Sequence, residues 1–326
     1  MQWGIIGTGG IARKFAQTLS QMGKEGETLV AVASRQEASA QAFAREHGAA
    51  RAYGSYEAMM QDPQVEVVYI ATPNALHFDN VRMCLQAGKH VLCEKPFTLN
   101  AAQARALYAL AAEQKRFVME AFWIRFLPVL LEMRAVIARG EIGTPVHVRS
   151  DYGFIPAPGR SERKFTAELG GGALLDIGIY NLGFAHMVFD APPQRIQSSV
   201  HKNAWGTDDF STVLLEYPGQ GTASLTTSIG LDMPREAAVF GTEGEIQLDD
   251  FQMAQRLTVR QYAGATREIA IPFDVNGFEY QIREVRRCVA QGLTTSDVLR
   301  PQDTLAVLDT MDSIRASWGM RFPGEA

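Results

Sequence analysis

The sequence predicts an α/β domain built on a parallel sheet, followed by an α+β domain with a large, mostly antiparallel sheet. Three observations lead to this fold class. The chain has 326 residues, which is too many for one ordinary hydrophobic core. In residues 1–122, strands that are apolar on both faces alternate with helices, as in a parallel sheet covered on both sides. In residues 123–326, most successive strands are separated by turns alone, which is typical of antiparallel pairing.

The elements of the first domain follow from the spacing of its apolar residues. The predicted strands cover residues 2–7, 28–34, 65–72, 90–94 and 116–122. The predicted helices cover residues 9–22, 37–48 and 75–87, and a fourth begins at Asn100. In the first helix, Ile11, Phe15 and Leu19 recur every four residues and therefore share one face.

The pattern of the second domain changes after about residue 125. Helices are predicted from Pro128 to Gly140 and over residues 173–189, 278–291 and 301–318. The predicted strands cover residues 145–153, 195–202, 209–217, 221–229, 235–241, 244–249, 256–262 and 266–271. Turn sequences such as "PGQG" and "GTEG" separate several of these strands. We therefore expect two domains, with boundaries at 1–122 and 123–326.

Composition and charge argue against several classes of protein. Hydrophobic residues make up 46% of the chain and charged residues 21%, close to globular averages. The net charge of −5 argues against a nucleic-acid partner, which needs a basic surface. No apolar run approaches the ~20 residues of a membrane span, and the first strand leaves no room for a signal peptide. The three widely spaced cysteines predict buried free thiols, no metal site and a cytoplasmic location.

A glycine-rich turn joins the first strand to the first helix. The sequence "GTGGIA" fits the pattern G-x-G-x-x-G/A with Gly7, Gly9 and Ala12. In this context the first glycine allows a tight turn, the second lets the backbone approach a pyrophosphate, and Ala12 permits close packing of helix and strand. Amides at the start of the helix favour a bound phosphate. The segment predicts a dinucleotide-binding Rossmann domain, with the following candidate contacts: Gly7, Thr8, Gly9, Gly10 and Ile11.

The end of the second strand indicates which dinucleotide is bound. Sites for NAD usually place an acidic residue there, which bonds the ribose 2′-hydroxyl. This chain has Ser34 and Arg35 instead. A guanidinium can pair with a 2′-phosphate through two hydrogen bonds, whereas a carboxylate would repel it. We therefore expect NADP rather than NAD, with a solvated arginine at a helix start as the alternative.

A charged pair ends the buried strand in "HVLCEKPFTL". Glu94 and Lys95 precede Pro96, which biases Lys95 toward an extended backbone. A surface turn is the simplest alternative, because most lysines are solvated. Ligands of doubly wound sheets, however, bind outside the carboxyl ends of the strands. We therefore expect Lys95 to face the nicotinamide.

Two other strand ends carry polar groups toward the same edge of the sheet. The segments are "ATPNALH" (71–77) and "EAFWIRF" (120–126). A lone histidine such as His77 is more often structural or exposed, whereas Pro73 and Asn74 are expected to shape a loop against the cofactor. The cofactor contacts expected at these strand ends are Thr72, Pro73, Asn74, His77, Glu94 and Lys95.

The segment "GGGALLDIGIYNLG" (170–183) is expected to supply the opposite wall of the site. Asp176 and Tyr180 are four residues apart on the predicted helix and so share one face. A tyrosine and an aspartate bonded to each other in a core are the alternative. Tyr180 can act as the general base for an alcohol if a cation such as Lys95 favours its ionised form. Lys95 can also stabilise an alkoxide, and Asp176 can orient Lys95 or bond a second hydroxyl.

The combination of "GTGGIA", "ATPNALH", "CEKP" and "DIGIY" resembles the Gfo/Idh/MocA oxidoreductases over essentially the whole chain. Within that family, "EAFWIRFLP" and "NGFEYQIREVRRC" are most similar to the dimeric dihydrodiol dehydrogenase and NADP-dependent D-xylose dehydrogenase branch. The resemblance implies that Lys95 is the lysine of the EKP motif and that Tyr180 occupies the catalytic position.

The resemblance also implies contacts with substrate and with a second copy of the chain. Trp123, Arg125 and Phe126 would lie near the substrate, although such an aromatic stretch is more often part of a core. The open face of the second-domain sheet would form a homodimer interface. Strand 221–229 offers small side chains for that contact, namely Thr222, Ser224, Thr226 and Ser228.

The sequence thus predicts an NADP(H)-dependent oxidoreductase that acts on a secondary alcohol of an aldose, a polyol or a cyclic trans-diol. Two alternatives remain. One is a non-catalytic NADP(H)-sensing regulator on the same fold, which would not need Lys95, Asp176 and Tyr180. The other is an enzyme that uses a transiently reduced cofactor for non-redox sugar chemistry.

Overall fold

A computed structural model describes residues 1–157 and 162–325 of the chain. The chain forms two compact units. Unit 1 comprises Met1–Thr98, Ala102–Trp123 and Asp274–Pro301. Unit 2 comprises Leu99–Ala101, Ile124–Phe273 and Gln302–Ala326.

The units differ from the two contiguous domains expected from the sequence, because residues 274–301 return to unit 1. The backbone N–H of Val118 donates to the carbonyl of Thr294 at 3.0 Å. Arg283 pairs with Glu25 at 2.7 Å, where the chain approaches the second strand. These contacts join segments more than 170 residues apart, so no local sequence pattern predicts them.

Unit 1 is built on a parallel sheet, as predicted. Its described strands follow the order β3-β2-β1-β4-β5-β6, and every paired neighbour is parallel. The strands are β1 Gln2–Ile6, β2 Thr28–Ala33, β3 Arg51–Tyr53, β4 Val67–Ile70, β5 His90–Glu94 and β6 Val118–Ala121. The order reverses beside β1, so the carboxyl ends of β1 and β4 flank the point where such sheets bind ligands.

The helices of unit 1 connect successive strands or pack beside them. They are α1 Gly10–Gln21, α2 Glu37–His47, α3 Tyr56–Met60, α4 His77–Gln86, α5 Ala101–Gln114 and α9 Glu279–Ala290. The apolar pattern of the sequence does not predict β3 and α3. Each spans five residues or fewer, which is too short to show a reliable period.

Large aromatic side chains fill the unit 1 core next to the glycine turn. Trp3, Phe15 and Tyr69 are fully buried. The rings of Phe15 and Tyr69 stack with centroids 3.7 Å apart, which ties α1 to β4. The indole N–H of Trp3 donates to the carboxylate of Glu27 at 2.6 Å, so this buried polar group is satisfied. The start of α1 therefore packs on a rigid core.

Unit 2 contains the large sheet expected from the sequence. Its described strands follow the order β14-β13-β12-β11-β7-β10-β9-β8, and all pairs are antiparallel except β7 with β10. The strands are β7 Pro145–Phe154, β8 Arg195–Lys202, β9 Asp208–Glu216, β10 Thr222–Ile229, β11 Ala237–Gly241, β12 Gly244–Leu248, β13 Arg256–Gln261 and β14 Thr266–Ala270.

One face of this sheet is covered by helices and the other is more open. Along β10, Ala223 and Leu225 are buried, whereas Thr222, Ser224 and Thr226 are half-buried. Ser228 departs from the expected row because it is 1% exposed and its hydroxyl donates to a backbone carbonyl on β9.

The helices of unit 2 are α6 Pro128–Ala138, α7 Glu162–Phe165, α8 Ile179–Phe189 and α10 Pro301–Ser317. A π-helical turn, Leu174–Gly178, leads directly into α8. The segment Ala167–Phe189 is long and apolar enough to cross a membrane, contrary to the reading of the sequence. However, 78% of its most apolar window is buried inside the protein, as in a core helix. Because the segment is buried, its length and hydropathy are weak evidence that it crosses a membrane.

Candidate active-site residues in each unit

The turn after β1 requires glycine at position 7. Gly7 has φ of +105°, which lies in the region that side chains rarely adopt. A Cβ atom built there would lie 2.6 Å from the carbonyl oxygen of Ala71, at the end of β4. Both the backbone conformation and the close approach of the two strand ends therefore exclude a side chain.

The next two glycines leave open space at the start of α1. Apart from the neighbouring residues of the chain and the backbone of α1, no described atom lies within 4 Å of a Cβ built on Gly9 or Gly10. Gly9 itself is extended, with φ −75° and ψ −178°, so its conformation does not demand glycine. Beside it, Thr8 is half-buried and the apolar side chain of Ile11 is 39% exposed. A pyrophosphate on the helix amides fits this cradle, and an added Cβ would occupy the same space.

The end of β2 carries a hydroxyl and a guanidinium, as predicted. Ser34 is half-buried, and its hydroxyl accepts a 3.4 Å hydrogen bond from the N–H of Gln36. Arg35 is exposed, and its charge acts on Tyr56. Burial raises the pKa of Tyr56, and the positive charge of Arg35 opposes that increase. The nearest acid in sequence, Glu37, accepts a hydrogen bond from Gln41 on α2.

The loop after β4 is fastened by His77. Its ring is fully buried, with Nδ1 2.8 Å from the carbonyl of Pro96 and Nε2 3.0 Å from the carbonyl of Thr72. Asn80 donates to the hydroxyl of Thr72 at 3.0 Å. Burial lowers the pKa of His77. The ring therefore links the loops after β4 and β5. In this position His77 stabilises the loop expected to contact the cofactor, rather than contacting a ligand itself.

The EKP segment follows β5 and is held by buried polar contacts. Glu94 is buried and accepts a hydrogen bond from the hydroxyl of Tyr69, and burial raises the pKa of Glu94. Lys95 is half-buried, and the Lys95–Pro96 peptide is cis. The N–H of Phe97 donates to the carboxylate of Glu120 at 2.9 Å. Lys95 thus stands on a firmly anchored segment at the carboxyl end of the sheet.

Lys14, on α1, is a candidate that the sequence reading missed. Its Nζ lies 4.6 Å from the ring centroid of Trp123 and 4.4 Å from that of Phe278. Burial lowers the pKa of Lys14, while the negative charges of Glu94 and Glu279 oppose the decrease. The sequence could have indicated Lys14, because this charged residue lies one turn into the helix that opens the dinucleotide site.

The segment after β6, which is expected to contact the substrate, is buried in the structure. Trp123, Arg125 and Phe126 are 5%, 3% and 5% exposed. The Trp123 ring packs against Lys14, as described above. The guanidinium of Arg125 lies 3.5 Å from the carboxylate of Asp303, which also pairs with His186 at 3.2 Å. Arg125 therefore forms an ion pair inside the protein.

In unit 2, Asp176 and Tyr180 lie one turn apart, where the π-helical turn meets α8. Tyr180 is 6% exposed, and its ring centroid is 5.9 Å from that of Tyr152 on β7. The carboxylate of Asp176 forms an ion pair with Lys164. Lys164 belongs to the loop 154–169, whose course the sequence did not indicate and whose residues 158–161 lie outside the described residues. No periodic signal in the sequence would have paired Lys164 with Asp176.

The start of this helical segment is fixed by a buried carboxylate. Asp208, at the beginning of β9, is 1% exposed and accepts a hydrogen bond from the N–H of Leu174 at 2.6 Å. Burial raises the pKa of Asp208 to about 7, although backbone amide donors oppose the increase. In the next turn, Asn181 donates to the carbonyl of Thr226 at 2.9 Å, which anchors α8 to the sheet. Tyr180 and Asp176 are therefore held on a rigid element.

These features are typical of a protein with a dinucleotide-binding Rossmann unit and a second, sheet-rich unit. Two family models match the chain. The oxidoreductase family with an NAD-binding Rossmann fold matches residues 1–122, and the GFO/IDH/MocA C-terminal domain matches residues 130–247.

Curated relatives and solved structures resemble the chain over its whole length. Trans-1,2-dihydrobenzene-1,2-diol dehydrogenase is 36% identical in Xenopus tropicalis and 37% identical in Homo sapiens. Each alignment covers 99% of this chain and at least 98% of the relative. A 3-ketoreductase from Actinomadura kijaniata, in complex with NADP and TDP-benzene, has a TM-score of 0.86 at 25% identity, with 97% of each chain covered. An aldose-aldose oxidoreductase from Caulobacter crescentus, complexed with glycerol, has a TM-score of 0.88 at 23% identity, with 98% of each covered, which shows the common fold.

The chain belongs to the Gfo/Idh/MocA family and is an enzyme, a dehydrogenase or reductase. The resemblance predicted from its motifs is confirmed.

Proposed function

We propose that the enzyme transfers a hydride between NADP(H) and a secondary alcohol or carbonyl of a cyclic trans-diol, an aldose or a polyol. The observation that carries the proposal is Tyr180, held on a rigid helix one turn from the Asp176–Lys164 pair. A phenol beside partly exposed charged groups suits both proton transfer and the binding of hydroxyls. The names of the relatives that match 99% of the chain support a vicinal diol as substrate.

NADP is favoured over NAD by the end of β2. The exposed guanidinium of Arg35 stands where NAD sites place a carboxylate, and the 3-ketoreductase with the same fold was solved with NADP. The Arg35→Ala variant should raise the Michaelis constant for NADP and leave that for NAD almost unchanged. Equal weakening of both cofactors would show that Arg35 does not bind the 2′-phosphate.

The turn at Gly7 and Gly9, together with Arg35, would hold the dinucleotide, whose nicotinamide would supply the acceptor or the donor of the hydride. In the oxidative direction, Tyr180 removes the hydroxyl proton as the C–H bond breaks, and the alcohol becomes a carbonyl. Lys95 supplies a positive charge that favours the phenolate and stabilises the alkoxide. The proton leaves the tyrosine for solvent, so the products are the carbonyl compound, NADPH and one proton.

Two variants test the roles of Tyr180 and Lys95. Tyr180→Phe keeps the ring and removes the hydroxyl, so it should slow turnover by about 10²–10⁴-fold and leave NADPH binding intact. Lys95→Met keeps the length and removes the charge. Its residual activity should increase only at higher pH, because an unassisted tyrosine ionises near ~10.

The measurements are NADPH fluorescence titrations and pH–rate profiles of both variants beside wild type. Near-normal turnover in Tyr180→Phe would remove Tyr180 as the acid–base group. An unchanged profile in an active Lys95→Met would remove Lys95 as the group that favours the phenolate.

The proposal includes a homodimer formed through the open face of the unit 2 sheet. On that face Leu214 is 49% exposed and lies opposite Gln197 and Ser224. A broad open sheet with an exposed apolar side chain favours burial against a partner, and a two-fold axis lets one surface cover itself.

A further inference from the structure

The loop before the π-helical turn places Lys164 beside the segment of unit 2 that carries Asp176 and Tyr180. Lys164 lies in the short helix α7 and its Nζ forms an ion pair with the carboxylate of Asp176. The same Nζ lies 4.8 Å from the ring centroid of Phe154, at the end of β7. The ammonium group is thus held between a carboxylate and an aromatic face.

The backbone around Lys164 is fixed by several contacts. Its carbonyl accepts a 2.7 Å hydrogen bond from the N–H of Gly172. The carbonyl of the next residue, Phe165, accepts a 2.7 Å hydrogen bond from Thr207, and the Phe165 ring stacks on Trp205. Lys164 is therefore built into the fold rather than carried on a free loop.

The Lys164–Asp176 pair remains accessible although its surroundings are largely buried. The two side chains are 22% and 23% exposed, whereas Tyr180 and Tyr152 are 6% and 8% exposed. The rings of Phe154, Tyr152 and Tyr180 follow one another with centroids 6.5 and 5.9 Å apart. The accessible ion pair at this row of aromatic rings offers polar contact to the hydroxyls of a substrate.

We infer that Lys164 is a specificity-determining residue that, with Asp176, binds the hydroxyl next to the reacting carbon, so that the enzyme selects vicinal diols. This inference rests on the proposed function. Asp176 accepts the hydrogen bond of that neighbouring hydroxyl, and Lys164 donates to its oxygen. A substrate without the second hydroxyl forgoes these two hydrogen bonds and should therefore react less efficiently than the diol.

The test compares a vicinal diol with its mono-alcohol. Wild type and Lys164→Met are assayed with trans-cyclohexane-1,2-diol and with cyclohexanol, using NADP. The ratio of kcat/KM for the diol to that for cyclohexanol should fall by about 10- to 100-fold in Lys164→Met, mainly through KM for the diol, because a charge-assisted hydrogen bond is lost. Lys164→Arg should restore part of the ratio. Lys202→Met, which removes a lysine that bonds the carbonyl of Trp318, is the matched control and should keep the wild-type ratio.

The outcomes separate the inference from the proposed function. An unchanged ratio in Lys164→Met, or an equal loss with both substrates, overturns the role of Lys164 and leaves the diol dehydrogenase proposal standing. A wild-type enzyme that oxidises neither the diol nor any other vicinal diol overturns both. A fall in the ratio that Lys164→Arg partly reverses supports the inference.

Discussion

Two glycines of the turn after β1 should fail in different ways when replaced by alanine. At Gly7, alanine must adopt φ near +105° and place its Cβ 2.6 Å from the carbonyl oxygen of Ala71. The left-handed backbone costs about 1–2 kcal/mol and the overpacking about 1–3 kcal/mol. Gly7→Ala should therefore lower the free energy of unfolding by roughly 2–5 kcal/mol before any cofactor is added.

At Gly9, alanine meets no described atom within 4 Å beyond its chain neighbours and keeps an ordinary extended backbone. The weaker N-cap preference of alanine and the reduced freedom of its unfolded chain have opposite signs, and each is worth about 1 kcal/mol or less. Gly9→Ala should therefore keep the stability of the cofactor-free protein. Its Cβ fills the space expected for the pyrophosphate, so the Kd for NADPH should increase at least about tenfold, or about 1.4 kcal/mol.

Chemical denaturation without cofactor and fluorescence titration with NADPH measure the two effects separately. The pair of variants gives a matched comparison, since each adds one methyl group to the same turn. Wild-type affinity in Gly9→Ala would refute the assignment of this turn to the pyrophosphate. Wild-type stability in Gly7→Ala would refute the close approach of the β1 and β4 ends.

Three further predictions concern stability and assembly. Because burial raises the pKa of Asp208 from 3.8 to about 7, the folded protein holds a proton that the unfolded chain releases. Wild type should therefore lose roughly 4 kcal/mol of stability relative to Asp208→Asn as the pH rises from about 4 to 8, with no further loss above that. Parallel pH dependence of Tm in both proteins would show that Asp208 stays ionised. His77→Leu removes the single N–H of the neutral ring, which can bond only one of the carbonyls of Thr72 and Pro96, and should cost about 1–3 kcal/mol in denaturant titrations. The exposed His201→Leu is its control, and equal stabilities would contradict the described linkage. Leu214→Glu should yield monomers by light scattering at micromolar concentration, while Leu293→Glu, an exposed leucine of unit 1, should not. A monomeric wild type would exclude the proposed dimer.

Much of the fold could be predicted because its signals are local. An apolar strand, a glycine turn and an amphipathic helix lie within 22 residues of the N-terminus, and each follows from the conformational limits of neighbouring residues. The antiparallel character of the second sheet likewise follows from the short turns between strands. Arg35 and Lys95 could be singled out because strand ends have a known place relative to ligands.

What the sequence by itself determined was the order of the longer elements, the class of cofactor and the polar residues at the strand ends. Only the tertiary structure decided which distant groups meet: Arg125 with Asp303, residues 274–301 with unit 1, and Lys164 with Asp176. The physical reason is that these pairings depend on how whole elements pack. Local periodicity records which face of a helix or strand is buried, but carries no information about which side chain it is buried against.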